Sequence, residues 1–325
     1  MNTTFEALVC KGVRALRYES IPFRNCGPTE VLVKIVSASI CNGSDKNMYL
    51  GHPRYTYPFL FGHEPYGTVV EKGPLVKNLT AGDGVSWWFS LGAYAEYCYV
   101  DTAHVGIAKL NGVFDHAAAS ILELATATAR TVHASAVHPD HRVLLIGMGP
   151  SGLIMTQQMR LKGVTDLEGW EVLPQRTRKA MDLGLASTFN PLCSREELDD
   201  YAATVRPFDL VVDCYPDDRR DDGATIRAAT KVLKPGGTLI RYGHPFKARD
   251  FDQEEISNKK LQLIEPAMPM WVVQDLIEEQ ADLFVTGKLD LESLVTHRIG
   301  FRDIEATLLD QFENPDDYIK AVVEM

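Results

Sequence analysis

Residues 1 to about 115 alternate short apolar runs with turn-forming residues. The runs are rich in β-branched and aromatic side chains, and they are EVLVKIVSASI (30–40), GTVVEKG (67–73), GDGVSWWF (82–89) and AYAEYCYV (93–100). Short runs of this composition at even spacing, separated by glycine, proline and asparagine, are typical of strands in a small barrel or sandwich. The sequence therefore predicts a β-rich first domain.

The pattern changes after Phe114. The alanine-rich stretch 115–137 predicts two helices, and from His141 onward apolar strands alternate with helical segments. The predicted strands are RVLLIGMG, DLEGWEV, FDLVVDCY and TLIRYG, and the helices between them are SGLIMTQQMRLKG, QRTRKAMDLG and GATIRAATKVLKPGG, the last closed by Lys-Pro-Gly-Gly. This alternation predicts βαβ units on a parallel sheet. WVVQDLIEEQADLFVTGKL and FRDIEATLLDQF predict helices in the tail, and PDDRRDDG at 216–223 predicts a solvated loop.

Composition narrows the classes of partner. A chain of 325 residues is long for one core, so we expect two domains. The formal net charge of −11 argues against a nucleic-acid partner. No apolar run reaches membrane-spanning length and no signal peptide is evident, so we predict a cytoplasmic protein. The six cysteines form no C-x-x-C pair, which argues against a four-cysteine zinc staple and against a disulfide framework.

RVLLIGMGPSGL contains a G-x-G-x-x-G motif directly after an apolar strand and at the start of a helix. The first glycine permits a tight turn, the second lets the backbone approach a pyrophosphate, and the third lets helix and strand pack closely. The helix N-terminus then offers free N–H groups to the phosphates. We therefore predict a dinucleotide site whose loop consists of Gly147, Met148, Gly149, Pro150, Ser151 and Gly152.

An acidic residue at the end of the second strand of such a unit binds the ribose hydroxyls of the nucleotide. Glu171 has the expected spacing from Gly152, and Glu168 and Asp166 are alternatives. An acid at this position repels a 2′-phosphate, which favours NAD over NADP. Arg176 lies close enough in sequence to receive that phosphate, so NADP stays the less favoured alternative.

Four residues of the first domain have side chains that bind zinc in other proteins. Cys41 follows the strand 30–40, and His63 and Glu64 lie together in the turn of FLFGHEPYG. Glu123 is the only acid in an otherwise small and apolar helix, where an unpaired carboxylate is costly. Taken alone, a cysteine such as Cys41 is more often a core thiol, a histidine such as His63 a turn residue, and a glutamate such as Glu123 an acid on a helix face. Only the combination of these residues favours a metal site.

Several motifs together resemble the medium-chain zinc-dependent alcohol and polyol dehydrogenases. They are EVLVKIVSASICNGSDKNMYLG, FLFGHEPYGTVVEKG, LTAGDGV, GAYAEY, ILELATATA and HRVLLIGMGPSGL, followed by KPGGTLIRYG and YIKAVVEM. The resemblance covers nearly the whole chain, and the G-H-E motif before a G-x-V-V strand is specific within that family.

The resemblance implies an α/β fold in which a β-rich, GroES-like catalytic domain (1–123 and 267–325) accompanies a doubly wound, parallel-sheet Rossmann domain (124–266). It implies one catalytic zinc per chain, bound by Cys41 and His63 with Glu64 and Glu123 as the third and an exchangeable fourth ligand. It also implies a homodimer or homotetramer formed through the Rossmann domain.

The chain departs from the family pattern in three places. The lobe that holds a structural zinc in many members is absent, because GDGVSWWFSLGAYAEY crosses that region directly. CNGSDKN carries one extra residue after Cys41, so that Ser44 is the expected proton-accepting hydroxyl, and Asn47 replaces the histidine that usually follows. The second Rossmann strand, TDLEGWEV, is more polar than usual.

The predicted reaction is the zinc-dependent, NAD-linked oxidation of a secondary alcohol to a ketone, or the reverse reduction. Trp87, Trp88 and Phe89 lie where the resemblance places residues of the substrate pocket. Polar residues at expected rim positions favour a polyol, sugar or cyclitol; these are His52, Arg54, Tyr57, Arg241, Tyr242, His244 and Glu265.

Two other functions compete with this prediction. A zinc-independent NADPH enone or quinone reductase of the same superfamily needs no metal, which the joint presence of Cys41, His63 and Glu64 disfavours. A non-catalytic nucleotide-binding protein keeps the glycine loop without a reason to keep metal ligands, and Asn47 is the feature in its favour.

Overall fold

The computed structural model describes residues 3–215, 223–243 and 251–325. The predicted loop at 216–223 therefore lies outside the described residues apart from Gly223. The chain divides into two compact units. The metal-binding unit, so called for the cluster described below, comprises Met1–Ala127 and Met268–Met325, and the nucleotide-binding unit comprises Thr128–Ala267.

The strands of the described residues follow in chain order. They are β1 (Thr4–Gly12), β2 (Ala15–Pro22), β3 (Glu30–Ser39), β4 (Phe59–Leu60), β5 (Pro65–Lys72), β6 (Gly84–Trp88), β7 (Tyr97–Asp101), β8 (Gly106–Leu110), β9 (Arg142–Ile146), β10 (Asp166–Trp170), β11 (Ser187–Phe189), β12 (Phe208–Asp213), β13 (Leu233–Arg241), β14 (Gln262–Ile264), β15 (Val295–Gly300) and β16 (Lys320–Glu324).

The α-helices of the described residues are also given in chain order. They are α1 (Ser44–Leu50), α2 (His116–Ala119), α3 (Leu122–Ala134), α4 (Pro150–Leu161), α5 (Pro174–Asp182), α6 (Arg195–Thr204), α7 (Ala224–Lys231), α8 (Gln253–Lys259), α9 (Met270–Val285) and α10 (Ile304–Glu313).

The metal-binding unit is built around β3. A sheet with the order β15-β16-β3-β5-β6-β8 contains it, and β7 pairs with its first half. β5, β7 and β16 all run antiparallel to β3. The alternation of β-branched residues along β3 buries Val31, Val33 and Ile35 in a core that also contains Trp87. β3 thus has partners on both edges, and its last residues lie between β5 and β16.

The nucleotide-binding unit has a parallel sheet with the order β11-β10-β9-β12-β13-β14. Numbered within the unit, this is the 3-2-1-4-5-6 order of the doubly wound dinucleotide-binding fold. The buried apolar residues of β9 and β12, such as Leu144, Ile146 and Val211, form its core with Trp170 and Phe208. A β-rich unit and a unit with a parallel sheet, in one chain, confirm the predicted fold class.

The predicted end of one helix is wrong. α7 ends at Lys231, and the Lys-Pro-Gly-Gly sequence expected to close it belongs to β13. The Lys259 ammonium explains the earlier end, because it donates to the carbonyls of Thr230, Lys231 and Leu233 at 3.3, 2.5 and 2.9 Å. A cation beside the free carbonyls of a last helical turn satisfies acceptors that would otherwise lack partners.

Lys259→Met is therefore expected to lower the free energy of unfolding of the nucleotide-binding unit by about 1–2 kcal/mol, because three carbonyls lose a charged donor. Urea unfolding followed by circular dichroism measures the change. Lys260→Met is the matched control, since the neighbouring side chain is exposed. Equal stability of the two variants would contradict this role for Lys259.

Candidate functional site

Two neighbouring strand ends bring the predicted metal ligands together. Cys41 lies just after β3, His63 and Glu64 lie just before β5, and the two strands pair up to Ala38 and Pro65. One potential ligand atom from each of Cys41, His63 and Glu64 lies within 4.8 Å of the others, and two of the three residues are buried. Antiparallel pairing therefore places the thiol, the imidazole and the carboxylate at the same edge of the sheet.

The first turn of α1 supplies a carboxylate that orients His63. Asp45 is fully buried, and its Oδ1 atom lies 3.3 Å from His63 Nδ1. Its Oδ2 atom accepts hydrogen bonds from the backbone N–H of Cys41 at 2.9 Å and from the Tyr94 hydroxyl at 2.5 Å. With Nδ1 facing a carboxylate, Nε2 is the nitrogen left to act as a ligand, as in many histidine metal sites.

The electrostatics of this group are dominated by burial and by the carboxylate. Burial acts to lower the pKa of His63, but the charges and hydrogen bonds of Asp45 and Cys41 outweigh it and hold that pKa well above its ordinary value. Burial and the charge of Asp45 raise the pKa of Tyr94 far above its ordinary value. Tyr94 therefore stays protonated and acts as the hydrogen-bond donor to Asp45.

Glu64 is fully buried, and its two oxygens have different surroundings. Oε2 lies 2.5 Å from the Lys320 ammonium and accepts a hydrogen bond from the Ser39 hydroxyl. Oε1 is buried without a hydrogen-bond partner. Burial acts to lower the pKa of Lys320, but the charges of Glu64 and Cys41 raise it above its ordinary value. Lys320 is therefore a buried cation whose direct partner is a predicted metal ligand.

These residues fit a zinc ion by two criteria. One thiol, one imidazole and one carboxylate form a donor set that zinc accepts, and three protein ligands are the usual number in a catalytic site. The second criterion is the state of the Glu64 Oε1 atom, which is buried without a hydrogen-bond donor. Burying such an oxygen costs free energy unless a cation binds it.

Two of the predicted residues, Glu123 and Ser44, are not members of the three-residue cluster. Glu123 is buried near the start of α3, but among the described residues it is not part of the group of mutually close ligand atoms. Its role as an exchangeable ligand stays a prediction. Ser44 begins α1, and its backbone N–H points at the Cys41 sulfur at 3.4 Å. The extra residue of CNGSDKN is thus accommodated between Cys41 and the helix.

Sequence reasoning missed four residues of this network: Ser39, Asp45, Tyr94 and Lys320. A signal existed for one of them, since Lys320 is the only cation in the apolar stretch of β16 and is 1% exposed. Its partner Glu64 lies 256 positions earlier in the sequence, and only the pairing of the strands brings the two residues together.

The three aromatic residues assigned to the substrate pocket differ in placement. Trp87 is fully buried in the sheet core and contributes to stability there. Phe89 is 45% exposed, has a left-handed backbone with φ 56°, and places its ring centroid 6.2 Å from the His63 ring. A left-handed conformation is rare for an aromatic residue, and such strain is concentrated at functional sites.

The glycine loop has the geometry that a dinucleotide requires. Gly147 has φ 92°, and a Cβ atom at Gly152 would lie 2.1 Å from the Gly147 carbonyl oxygen, so both positions need glycine. At Gly149, which precedes α4, a Cβ atom would meet only Arg176 Nη1 at 3.8 Å. Glycine there therefore leaves open space for a ligand rather than relieving a clash, which fits a pyrophosphate.

The remaining predicted loop residues lie around this space. Pro150 is the first residue of α4, Met148 is fully buried, and the Ser151 hydroxyl lies 3.4 Å from the Tyr242 hydroxyl. Arg176, in α5, brings a guanidinium within contact distance of the space above Gly149, where it could meet a phosphate group.

Glu171 is the acid at the end of β10, and its carboxylate faces the loop. Oε2 accepts a hydrogen bond from the Met148 N–H at 2.8 Å, and Oε1 accepts from Val172 and Leu173 at 2.7 and 2.9 Å. A carboxylate has about four acceptor positions, so about one position remains for a ribose hydroxyl.

The two alternatives to Glu171 have partners elsewhere. Glu168 binds Arg142 at 3.1 Å and also accepts from the Tyr201 hydroxyl. Asp166 pairs with Arg142 at 3.4 Å and with Arg206. Both acids lie within β10 itself, before the strand ends.

Among the expected polar rim residues, Arg241 and Glu265 form an ion pair with each other. The Tyr57 hydroxyl donates to the Met48 carbonyl at 2.7 Å, and the Arg54 guanidinium lies over the ring of Tyr55. His244 lies outside the described residues.

Comparison with known proteins gives consistent results. A model of the alcohol dehydrogenase GroES-like domain matches residues 27–136. Sorbitol dehydrogenase 1 of Saccharomyces cerevisiae is 26% identical over 315 residues, covering 85% of each chain. L-galactonate-5-dehydrogenase of Escherichia coli strain K12 is 23% identical over 352 residues, covering 99% of each chain.

A solved structure described as a zinc-binding dehydrogenase from Sinorhizobium meliloti 1021, bound to NADP, has the same fold. It superimposes with a TM-score of 0.84 and 21% identity, covering 100% of both chains. Among the described residues, no helix combines the length and the apolar character needed to cross a membrane.

The contacts of Asp45 generate a prediction about metal affinity. Asp45→Asn keeps the shape of the side chain but removes the charge facing His63, so zinc affinity is expected to fall about 10- to 100-fold. Competition with a coloured chelator measures the change. Asp83→Asn is a suitable control, because that carboxylate pairs with Lys109 and not with a predicted ligand. An unchanged affinity in Asp45→Asn would exclude a role for Asp45 in orienting His63.

Proposed function

Because the chain belongs to the medium-chain dehydrogenase/reductase superfamily, with its zinc-type alcohol and polyol dehydrogenases, we propose that it is an NAD-dependent oxidoreductase for a secondary alcohol. The substrate class is a polyol, a sugar or a cyclitol, which is oxidised to a ketone or formed by the reverse reduction. The observation that carries the proposal is the Cys41–His63–Glu64 cluster, with its unpartnered Glu64 oxygen, in a chain that also has the glycine loop.

The residues of the cluster divide the work of binding and proton transfer. Cys41, His63 and Glu64 would hold one zinc ion, with Glu123 as a proposed exchangeable ligand. Zinc bound there supplies Lewis acidity, which lowers the pKa of an alcohol hydroxyl. Ser44 is the proposed acceptor of the hydroxyl proton. Because Asn47 replaces the usual histidine, the proton route beyond Ser44 differs from that of typical relatives.

The nucleotide-binding residues would orient the cofactor. Gly147, Met148, Gly149, Pro150, Ser151 and Gly152 form the loop that would receive the pyrophosphate, at the N-terminus of α4. NAD supplies the hydride acceptor, and the chain contributes its position. Glu171 would accept a hydrogen bond from a ribose hydroxyl, and its charge disfavours a 2′-phosphate, which supports NAD over NADP.

Three observations support a polyhydroxylated substrate. The names of the two reported relatives contain sorbitol and L-galactonate, and both of these compounds carry many hydroxyl groups. Phe89 is exposed beside His63 and could pack against the C–H face of such a molecule. The polar residues His52 and Arg54 lie between Cys41 and His63 in the sequence and could bind hydroxyl groups.

We also propose a homodimer or homotetramer formed through the nucleotide-binding unit. β14 is an edge strand of its sheet, and Leu263 on it is 42% exposed. Among the described strands β14 has a neighbour on one edge only, and an exposed apolar residue on such an edge favours a protein partner. The predicted compartment is the cytoplasm.

The first test compares zinc content and NADH binding in the wild-type protein and in His63→Ala. The wild type is expected to contain about one zinc per chain and the variant almost none, because one of three protein ligands is lost. Both proteins are expected to bind NADH, and only the wild type is expected to oxidise polyols.

The possible outcomes separate the competing functions. A wild-type protein that binds NADH without zinc would exclude the zinc mechanism and favour an enone reductase or a non-catalytic protein. Zinc-loaded protein that prefers simple aliphatic alcohols over polyols would refute the proposed substrate class alone.

The second test concerns the nucleotide. NADH is expected to bind more tightly than NADPH, and Glu171→Gln is expected to reduce that preference about tenfold, because the charge that repels a 2′-phosphate is lost. Fluorescence titration with both nucleotides measures the ratio. Asp166→Asn is the control and is expected to keep the wild-type ratio. Tighter binding of NADPH by the wild type would overturn the NAD assignment and point to Arg176 as a phosphate ligand.

A further inference from the structure

Lys320 is an unusual residue for the interior of a sheet. It is 1% exposed, and its ammonium lies 2.5 Å from Oε2 of Glu64, which is itself fully buried. Lysine is almost never fully buried unless it is paired. The pair is thus a buried cation directly attached to a proposed zinc ligand.

The strand register explains why the two groups meet. β16 runs antiparallel to β3 and pairs Val322 with Ser39, while the Ile40 N–H donates to the Ala321 carbonyl at 2.9 Å. Continuing this register places Lys320 opposite Cys41. On the other side of β3, the Ser39 N–H donates to the Glu64 carbonyl at 2.9 Å. Lys320 and Glu64 therefore approach each other from the two strands that flank the end of β3.

The two oxygens of the Glu64 carboxylate differ in their partners. The ammonium and the Ser39 hydroxyl occupy Oε2, whereas Oε1 is left without a partner. A zinc ion held by Cys41 and His63 would meet a carboxylate whose charge is already largely balanced by Lys320. Charges a few ångströms apart in a water-excluded site interact strongly, so this balance affects how tightly the metal is held.

We propose that Lys320 is a positioning residue that holds Glu64 by one oxygen and keeps the net charge of the metal centre positive. A thiolate and a free carboxylate would neutralise a zinc ion completely, and Lys320 restores one positive charge. The centre then binds its metal less tightly but withdraws electron density from an alcohol oxygen more strongly. This inference rests on the proposed metal centre.

The test uses Co²⁺ as a coloured substitute for zinc in the full-length protein. Lys320→Met and Lys320→Gln both remove the charge, and Lys320→Gln keeps a hydrogen-bond donor. Both variants are expected to bind Co²⁺ about tenfold more tightly than the wild type, because Glu64 is released to the metal. The visible absorption bands of bound Co²⁺ are expected to shift, since the carboxylate can now engage the metal with both oxygens.

Lys109→Met is the matched control, because it removes a lysine charge that pairs with Asp83 and not with a predicted ligand. It is expected to keep the wild-type Co²⁺ affinity and spectrum. If Lys320→Met and Lys320→Gln also keep them, or bind Co²⁺ more weakly, Lys320 is only part of the core and the proposal is wrong.

A double variant covers the case in which the single variants do not fold. Lys320→Met with Glu64→Gln removes both charges, so no unpaired charge is buried. If the two charges cancel at the metal, the double variant is expected to bind Co²⁺ within about tenfold of the wild type. A much larger loss of affinity would show that Glu64 acts as a full ligand unaffected by Lys320, which contradicts the proposal.

Failure of this inference is distinguishable from failure of the proposed function. A wild-type protein that binds no Co²⁺ would refute the metal centre itself. A wild type that binds Co²⁺, with charge-removing variants identical to it, would refute only the role of Lys320.

Discussion

The pairing of the Lys320 ammonium with the Glu64 carboxylate is the constraint on which the surrounding structure depends. Neither charge is accessible to water, and removing the partner of a buried charge typically costs about 3–5 kcal/mol. Any displacement of β16 from β3, or of β3 from β5, would separate the pair. The position of Cys41 and His63 at the same sheet edge therefore relies on an ion pair between an expected zinc ligand, Glu64, and a residue that is not a ligand, Lys320.

Features that depend on residues close together in the sequence were predictable from it. The alternation of strands and helices after His141 and the three glycines of the loop are local patterns, and the structure has the predicted fold class with its 3-2-1-4-5-6 strand order. The end of α7 was not predictable in this way. Proline and glycine indicated a stop after Leu233, but Lys259, from a later helix, satisfies the carbonyls of an earlier turn.

The same distinction applies to the candidate site. Cys41, His63 and Glu64 form recognisable motifs, and the structure brings them together. Asp45 and Lys320 could not be assigned, because their importance comes from contacts that the chain path alone does not reveal. Glu171 and Glu168 are likewise the same residue type, and what distinguishes them is that Glu168 lies within β10 whereas Glu171 follows its last residue. Residue type therefore indicates which side chains are able to bind a ligand, and strand register determines which of them lie together.

The interrupted path of the chain also sets an order of events during synthesis on the ribosome. The nucleotide-binding unit is one continuous segment and can form its sheet as soon as it has emerged. β3 and β5 emerge earlier, but their sheet stays incomplete until β16 has been synthesised. β16 pairs with the half of the β3 edge that β7 leaves open. Until then a nascent chain carries an exposed strand edge and a Glu64 carboxylate without its cation, which makes that interval the most vulnerable to aggregation.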